Sequence, residues 1–140
     1  MKEIITYSEQ ETKQIAKNIA EKMNKTGVIV LNGELGAGKT KFTEGFLSYF
    51  GLDKEISSPT FTIVNVYKND EVTINHFDVY RLSDIDEFYA IGGEEYFSNG
   101  ISIIEWGEII EDVLPKHYIN IDIKKDEENF DKRIICIEEK

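Results

Sequence analysis

The strongest indication of the fold lies in one stretch of the 140-residue chain: Val28-Ile29-Val30-Leu31-Asn32-Gly33-Glu34-Leu35-Gly36-Ala37-Gly38-Lys39-Thr40. The four apolar residues at its start predict a buried strand, and Lys41 to Phe50 have the pattern of a helix. Between them, Gly33 to Thr40 has the spacing G-x-x-x-x-G-K-T, which is typical of a P-loop when a strand precedes it and a helix follows. The stretch therefore predicts a strand–loop–helix unit that binds phosphate.

The residue types of this loop suit an anion. Glycines let the backbone curl so that several N–H groups point into one concavity at a helix N-terminus, where negative charge is favoured. Lys39 would reach the β- and γ-phosphates of a nucleotide, and the Thr40 hydroxyl would contact Mg²⁺. The loop residues that precede Lys39 are also expected to bind phosphate; they are Gly33, Glu34, Leu35, Gly36, Ala37 and Gly38.

Composition limits the classes of function. A net charge of −11 argues against direct binding of a nucleic-acid backbone, because phosphate contacts need lysine and arginine. The single cysteine, Cys136, lies in an apolar run and is predicted to be a small core residue of a protein from a reducing compartment. We find no signal peptide and no apolar run near 18 residues, so we expect a cytoplasmic protein without a membrane anchor.

The remaining pattern predicts one α/β domain over residues 1–140. Lys2 to Tyr7 can form an edge strand, and Ser8 with Glu11 forms a capping box for a helix from Glu9 to about Asn24. The later elements predicted are a hairpin of Phe61–Tyr67 with Val72–Val79, a short helix with Ile85, Phe88 and Tyr89 on one face, a strand Ile101–Ile104, and strands Tyr118–Lys124 and Lys132–Glu138. This order favours a P-loop NTPase-like three-layer sandwich with a mixed, mainly parallel sheet and a C-terminal hairpin.

Two acidic residues at strand ends can complete a Mg²⁺ site. Asp78 ends one predicted strand, and Glu105 follows the apolar run Ile101–Ile104. Ligands bind at the carboxyl ends of strands in open α/β sheets, so both side chains can converge on the phosphates. One would ligate the metal, directly or through water, and the other would orient the attacking water; the sequence leaves their assignment open.

Several other residues are candidates for the site, but the sequence supports a structural role for most of them at least as well. His76 is predicted to be a sheet residue rather than a ligand, because no other histidine or cysteine lies at metal-binding spacing. Arg81 fits a structural ion pair better than a phosphate contact. Trp106 can pack in the core or sense nucleotide, and Ser57–Phe61 fits a capped turn slightly better than a nucleotide-sensing segment.

Missing motifs exclude some nucleotide-binding proteins. No N-K-x-D occurs, because Asn24-Lys25 is followed by Thr26-Gly27, and this argues against a Ras-like GTPase. Arg81 and Arg133 are the only two arginines, and small-molecule kinases use several basic groups to clamp donor and acceptor phosphates. A phosphotransferase that acts on a metabolite is therefore a secondary alternative.

Four blocks of the sequence together resemble the TsaE (YjeE) family: Gly33–Thr40, Ser58–Phe61, His76–Arg81 and Glu105-Trp106. Members of this family are small bacterial P-loop ATPases of tRNA threonylcarbamoyladenosine synthesis. The resemblance implies ATP and Mg²⁺ at Lys39 and Thr40, and a role in activity for Asp78, Glu105 and Trp106. It also implies action with the TsaB–TsaD heterodimer, which modifies the adenosine next to the anticodon in tRNAs reading ANN codons, so tRNA would be reached through partners.

The chain departs from the family pattern at Lys41, where a second threonine is usual. If that hydroxyl helps to bind phosphate, Lys41 must act by charge or the site must do without it. The resulting prediction is an ATPase that turns over slowly alone, with Lys39, Asp78 and Glu105 as catalytic residues and Trp106 in the nucleotide site. A non-catalytic nucleotide-dependent switch is the second alternative.

Overall fold

The computed structural model describes residues 2–34, 36–55, 64–78, 85–90, 92–105 and 107–140. In chain order, its strands and α-helices are β1 (Lys2–Thr6), α1 (Glu9–Met23), β2 (Gly27–Asn32), α2 (Lys39–Tyr49), β3 (Val64–Lys68), β4 (Thr73–Asp78), α3 (Ile85–Ala90), β5 (Ile101–Glu105), β6 (Ile119–Lys125) and β7 (Arg133–Glu139). Short 3₁₀ helices span Asp53–Glu55, Gly93–Ser98 and Gly107–Val113.

The described strands form one seven-stranded sheet in the order β1-β7-β6-β2-β5-β4-β3. The central pairs β6–β2, β2–β5 and β5–β4 are parallel, and the outer pairs β1–β7, β7–β6 and β4–β3 are antiparallel. Five strands consequently run in one direction and two, β3 and β7, run against them. The predicted mixed, mainly parallel sheet with a C-terminal hairpin is confirmed.

Helices cover both faces of the sheet. On one face, α1 and α2 bury Ala16, Ile19, Phe42 and Phe46 against the central strands. On the other face, Phe88 of α3 and Ile110 of the last 3₁₀ helix pack with residues of β2, β4 and β5. The result is the three-layer arrangement that the order of elements predicted.

The centre of the sheet positions the candidate site. Val28 to Leu31 of β2 are at most 4% exposed, as expected for a parallel strand covered on both faces. In register, Leu31 lies opposite Glu105, Glu105 lies opposite Asp78, and Asn32 lies opposite Asp122. The carboxyl ends of four neighbouring parallel strands therefore meet at one edge, next to the loop that leaves β2.

Local sequence signals set the ends of the first two helices. The Ser8 hydroxyl accepts a hydrogen bond from the Glu11 N–H at 3.1 Å, and the Glu11 carboxylate accepts one from the Tyr7 N–H, which confirms the cap of α1. Helix α2 begins at Lys39, two residues before the predicted start. The Phe42 N–H donates to the Gly38 carbonyl at 2.9 Å, so the loop itself supplies the first turn.

Two predictions about the core are wrong. Tyr89 was expected beside Phe88 on the apolar face of α3, but its side chain is 46% exposed while Phe88 is fully buried. Adjacent helical residues are about 100° apart, and only Phe88 meets the aromatic rings of Phe77 and Phe97. Cys136 is half-buried rather than in the core, because β7 directs it towards Glu3 of the edge strand β1.

None of the helices among the described residues is long and apolar enough to cross a membrane.

Candidate functional site

The loop between β2 and α2 has the backbone of an anion cradle. Gly36 and Gly38 have φ values of 78° and 110°, a region where a side chain would be strained. The Ala37 N–H donates to the Glu34 carbonyl at 3.0 Å and closes a turn inside the loop. The glycine spacing therefore allows the curl that the sequence predicted; Leu35 lies outside the described residues.

Lys39, the first residue of α2, has a buried ammonium group. The residue is 8% exposed, and its Nζ atom lies 3.6 Å from the Oε1 atom of Glu105. A lysine is rarely buried without a partner of opposite charge, because removing the charge from water is costly. The loop and the end of β5 are thus connected by a buried ion pair.

Glu105 is held by a second partner as well. Its Oε2 atom accepts a hydrogen bond from Nε2 of His76 at 2.6 Å. Burial raises the pKa of Glu105, but the hydrogen bond and charge of His76 and the charge of Lys39 together lower it more. The pKa of this carboxyl therefore lies below its ordinary value of 4.5, and the group is ionised at neutral pH.

His76 belongs to this cluster, although the sequence indicated only a sheet residue. It is buried in β4, as predicted, yet its ring reaches the end of the neighbouring strand to meet Glu105. Its Nδ1 atom has no hydrogen-bond partner among the described residues. The contact between His76 and Glu105 could have been predicted only from the parallel register of β4 and β5. In that register His76 lies opposite Ile103, two residues before Glu105.

The two strand-end acids are neighbours in the sheet. The backbone of Asp78 ends β4 directly opposite Glu105, as expected for carboxyl ends of adjacent parallel strands. Thr40 lies in the first turn of α2 and is exposed. The structure thus places Lys39 and Glu105 in contact and Asp78 at the adjacent backbone position.

The chemistry of these donors fits Mg²⁺. The cation prefers hard oxygen ligands, which an exposed hydroxyl and an ionised carboxylate provide. Groups of three or more metal-binding side chains are absent from the described part of the chain. Mg²⁺ commonly uses one or two protein carboxylates together with phosphate oxygens and water, so a sparse protein site is compatible with it.

Lys41 lies away from the loop's concavity. Its Nζ atom is 3.5 Å from the Glu44 carboxylate and 3.9 Å from the Glu9 carboxylate. Residues three apart on a helix are neighbours, which explains the first pair, and the packing of α1 on α2 supplies the second. The structure therefore does not bring Lys41 to the other predicted phosphate ligands.

Other predicted site residues lie outside the described ranges. These are Leu35, Arg81, Trp106 and the segment 57–61. Their predicted roles stay predictions.

A cavity of about 580 Å³ opens beside the loop. The start of the loop and Lys39 form one wall, and the end of β6 with the turn that follows forms the other. The residues that line the cavity are Asn32, Gly33, Glu34, Lys39, Asp122, Ile123, Lys124, Lys125, Asp126 and Glu127. Its volume is in the range of small-molecule and cofactor sites. The sequence had given no signal for the β6 wall, because no motif marks it.

Comparison with known proteins gives one consistent family. The model of the family described as "Threonylcarbamoyl adenosine biosynthesis protein TsaE" matches residues 6–135. A tRNA threonylcarbamoyladenosine biosynthesis protein TsaE from Rickettsia bellii is 42% identical over 121 residues, which cover 86% of this chain and 84% of that protein. The protein of the same name from Bacillus subtilis is 41% identical over 121 residues, covering 86% of this chain and 75% of the relative.

A solved structure is also similar throughout. The crystal structure of YdiB from Bacillus subtilis superposes with a TM-score of 0.73 at 36% sequence identity. The match covers 97% of this chain and 83% of the other. The similarity therefore extends over the whole architecture and is not limited to the loop.

Proposed function

The chain belongs to the TsaE family of tRNA threonylcarbamoyladenosine biosynthesis, and we propose that it acts in that pathway as a Mg²⁺-dependent ATPase. One observation carries the proposal: a glycine loop leads into a buried Lys39, whose ammonium group lies 3.6 Å from the ionised Glu105. A lysine at this loop position is the group that P-loop proteins place on the β- and γ-phosphates.

The loop residues would bind and orient the triphosphate. Backbone N–H groups of the loop, that of Gly38 among them, would face the phosphate oxygens, and Lys39 would neutralise the charge that develops during transfer to water. To do so, Lys39 must exchange part of its contact with Glu105 for a phosphate. When bound, Mg²⁺ would supply further neutralisation at the phosphates, held by Thr40 and a strand-end carboxylate.

The arrangement favours different roles for the two acids. Both Glu105 oxygens have partners, Lys39 and His76, and the hydrogen bond with His76 fixes the orientation of the carboxylate at the end of β5. We therefore assign the metal to Asp78 and the orientation of the attacking water to Glu105. A base held at a fixed angle by His76 is suited to that task.

We expect hydrolysis by the isolated chain to be slow. In the resting arrangement Lys39 is held by Glu105, and P-loop enzymes gain large rate factors from an additional cation that neutralises the transferred phosphate. Such a group can come from a partner protein. We propose the TsaB–TsaD heterodimer as that partner, in the cytoplasm, with tRNA held by the partners because this chain carries a net charge of −11.

Two measurements test this function. Purified protein is titrated with ATP and ADP, and phosphate release is followed for the wild type, Lys39→Ala and the neighbouring control Lys41→Ala. We expect Lys39→Ala alone to lose hydrolysis. Failure of the wild type to bind either nucleotide, or unchanged hydrolysis by Lys39→Ala, would contradict the ATPase.

The pathway role requires reconstitution. Modified adenosine is measured after incubation of tRNA with TsaB–TsaD, with and without this chain. We expect product to depend on the chain and on ATP. Transfer of labelled γ-phosphate to a small metabolite instead of water would favour a phosphotransferase.

A non-catalytic switch is the second candidate, and the Lys39–Glu105 ion pair favours it specifically. Nucleotide phosphates compete with Glu105 for Lys39, so binding alone can rearrange the end of β5. A Glu105→Ala protein that no longer hydrolyses ATP but still supports tRNA modification would identify the switch. Loss of both activities would favour the ATPase.

A further inference from the structure

Arg133, the first residue of β7, reaches the phosphate loop from the far end of the chain. Its Nε–H donates to the Ala37 carbonyl at 2.9 Å, and an Nη2–H donates to the Gly36 carbonyl at 3.5 Å. Its Nη1 group donates to the carbonyls of Phe130 and Lys132, at 2.6 and 3.0 Å. One guanidinium therefore joins two loop peptides to the turn that precedes β7.

The planarity of the peptide bond gives these contacts a consequence. In a trans peptide the carbonyl and the following N–H point in opposite directions. When Arg133 holds the Ala37 carbonyl on the outer side of the loop, the Gly38 N–H must project from the other side of the same peptide. The Ala37 N–H donates to the Glu34 carbonyl, so the Gly38 N–H is the donor of these two peptides that no described residue occupies.

Glycine makes such a restraint necessary. Gly36 and Gly38 reach their left-handed conformations at little steric cost, but the same freedom lets each peptide rotate to other conformations. A loop that is to bind an anion gains affinity when its donors are already oriented, because less conformational freedom is lost on binding. A side chain that fixes the carbonyls of two successive residues provides that orientation.

We propose that Arg133 is a positioning residue for phosphate binding, which holds the Gly36–Ala37–Gly38 backbone so that the Gly38 N–H is directed into the cradle. The inference rests on the proposed nucleotide function and assigns part of its affinity to a residue outside the P-loop motif. Arginine suits this task better than lysine, because its planar fork donates to several carbonyls in fixed directions. The same side chain also couples the loop to the β6–β7 turn, whose beginning forms the other wall of the cavity.

The test compares Arg133→Gln, Arg133→Lys and the control Lys132→Gln in the full chain. Lys132 is adjacent in sequence and pairs with Asp126 at 3.3 Å, so its substitution removes the same charge from the same turn without the two loop contacts. Binding is measured calorimetrically with Mg-ADP and with inorganic pyrophosphate. Unfolding temperature and the amide resonances of Gly36, Ala37 and Gly38 are recorded for each protein without ligand.

We expect Arg133→Gln to weaken the binding of ADP and of pyrophosphate by the same factor, about tenfold, because only the phosphate cradle is affected. The affinity for both ligands should fall about threefold in Arg133→Lys and less than about twofold in Lys132→Gln. The Gly38 amide resonance should shift in both Arg133 variants while those of β2 stay in place. A purely structural role would lower the unfolding temperature without this selective shift.

The proposal is overturned if Arg133→Gln binds pyrophosphate with an affinity within about twofold of the wild type. If Arg133→Gln does not fold, the same criterion applies to Arg133→Lys. An unshifted Gly38 resonance overturns it too. Failure of the wild type itself to bind nucleotide or pyrophosphate is a different outcome. It would reject the proposed function, and the Gly38 resonance would still decide whether Arg133 orients the loop.

Discussion

Nε2 of His76 lies 2.6 Å from Oε2 of Glu105, across two adjacent parallel strands and 29 residues apart in sequence. The other oxygen of the same carboxylate faces Nζ of Lys39 at 3.6 Å. Glu105 therefore connects the sheet to the phosphate loop, and a phosphate that attracts Lys39 acts directly on the environment of the strand-end acid.

Glu105→Gln should separate nucleotide binding from hydrolysis. The amide keeps the shape of the carboxylate but removes the charge that competes for Lys39 and repels phosphate. We expect ATP to bind up to about tenfold more tightly, while phosphate release falls by at least about a hundredfold because the oriented base is lost. Calorimetric titration and a phosphate-release assay measure the two effects. Weaker ATP binding by this variant would contradict the competition between Glu105 and phosphate.

The pKa of Glu105 predicts how the stability of the protein depends on pH. Because the pKa is lowered in the folded protein, ionised Glu105 stabilises the fold above its unfolded pKa, and this contribution is lost as pH falls through the folded value. Urea unfolding of the wild type and Glu105→Gln, from about pH 6 to about pH 3, should show their difference in free energy of unfolding shrinking in the acid range. A difference that stays constant over this range would argue against the assignment.

His76→Ala should destabilise the protein, whereas His117→Ala should not. Removal of His76 leaves a cavity in the sheet and takes a hydrogen bond from a buried carboxylate, which together should cost about 2 to 4 kcal/mol of unfolding free energy. His117 is exposed, and its hydrogen-bond contact among the described residues is a 3.4 Å approach of Nδ1 to the Lys140 carbonyl, so its replacement should change the free energy of unfolding by less than about 0.5 kcal/mol. Urea unfolding at neutral pH compares these variants of the chain's two histidines. Equal losses would mean that the His76–Glu105 bond adds little.

Lys41→Ala should leave nucleotide affinity nearly unchanged. Its ammonium group pairs with Glu44 and Glu9 on the partly exposed surface between α1 and α2, so we expect less than about a twofold change in the ADP dissociation constant. Calorimetry with Mg-ADP measures this, and Lys39→Ala is the matched comparison two residues earlier. If Lys41→Ala lost as much affinity for ADP as Lys39→Ala, Lys41 would have to turn towards the phosphates when the nucleotide binds.

Most of the fold could be predicted because its signals are local. The apolar run Val28–Leu31, the glycine spacing of Gly33–Lys39 and the capping box of Ser8 each act within a few residues, and the structure confirms all three elements. Tyr89 and Cys136 were misplaced because burial depends on what packs against a side chain, which hydrophobicity alone does not specify. The same limit applies to the site, where Lys39 and Glu105 were identified by position but their contact was not.

Sequence alone is enough to predict that a strand, a glycine loop and a helix follow one another, with acids at the ends of two strands, because these features depend on backbone freedom and side-chain periodicity over short distances. Three contacts emerge only from the folded structure: His76 holds Glu105, Arg133 holds the carbonyls of the loop 96 residues before it, and Lys41 pairs with α1 instead of the loop. Each of these contacts depends on strand register or on the packing of separate elements. Those are set by the burial of the whole core, which no short stretch encodes.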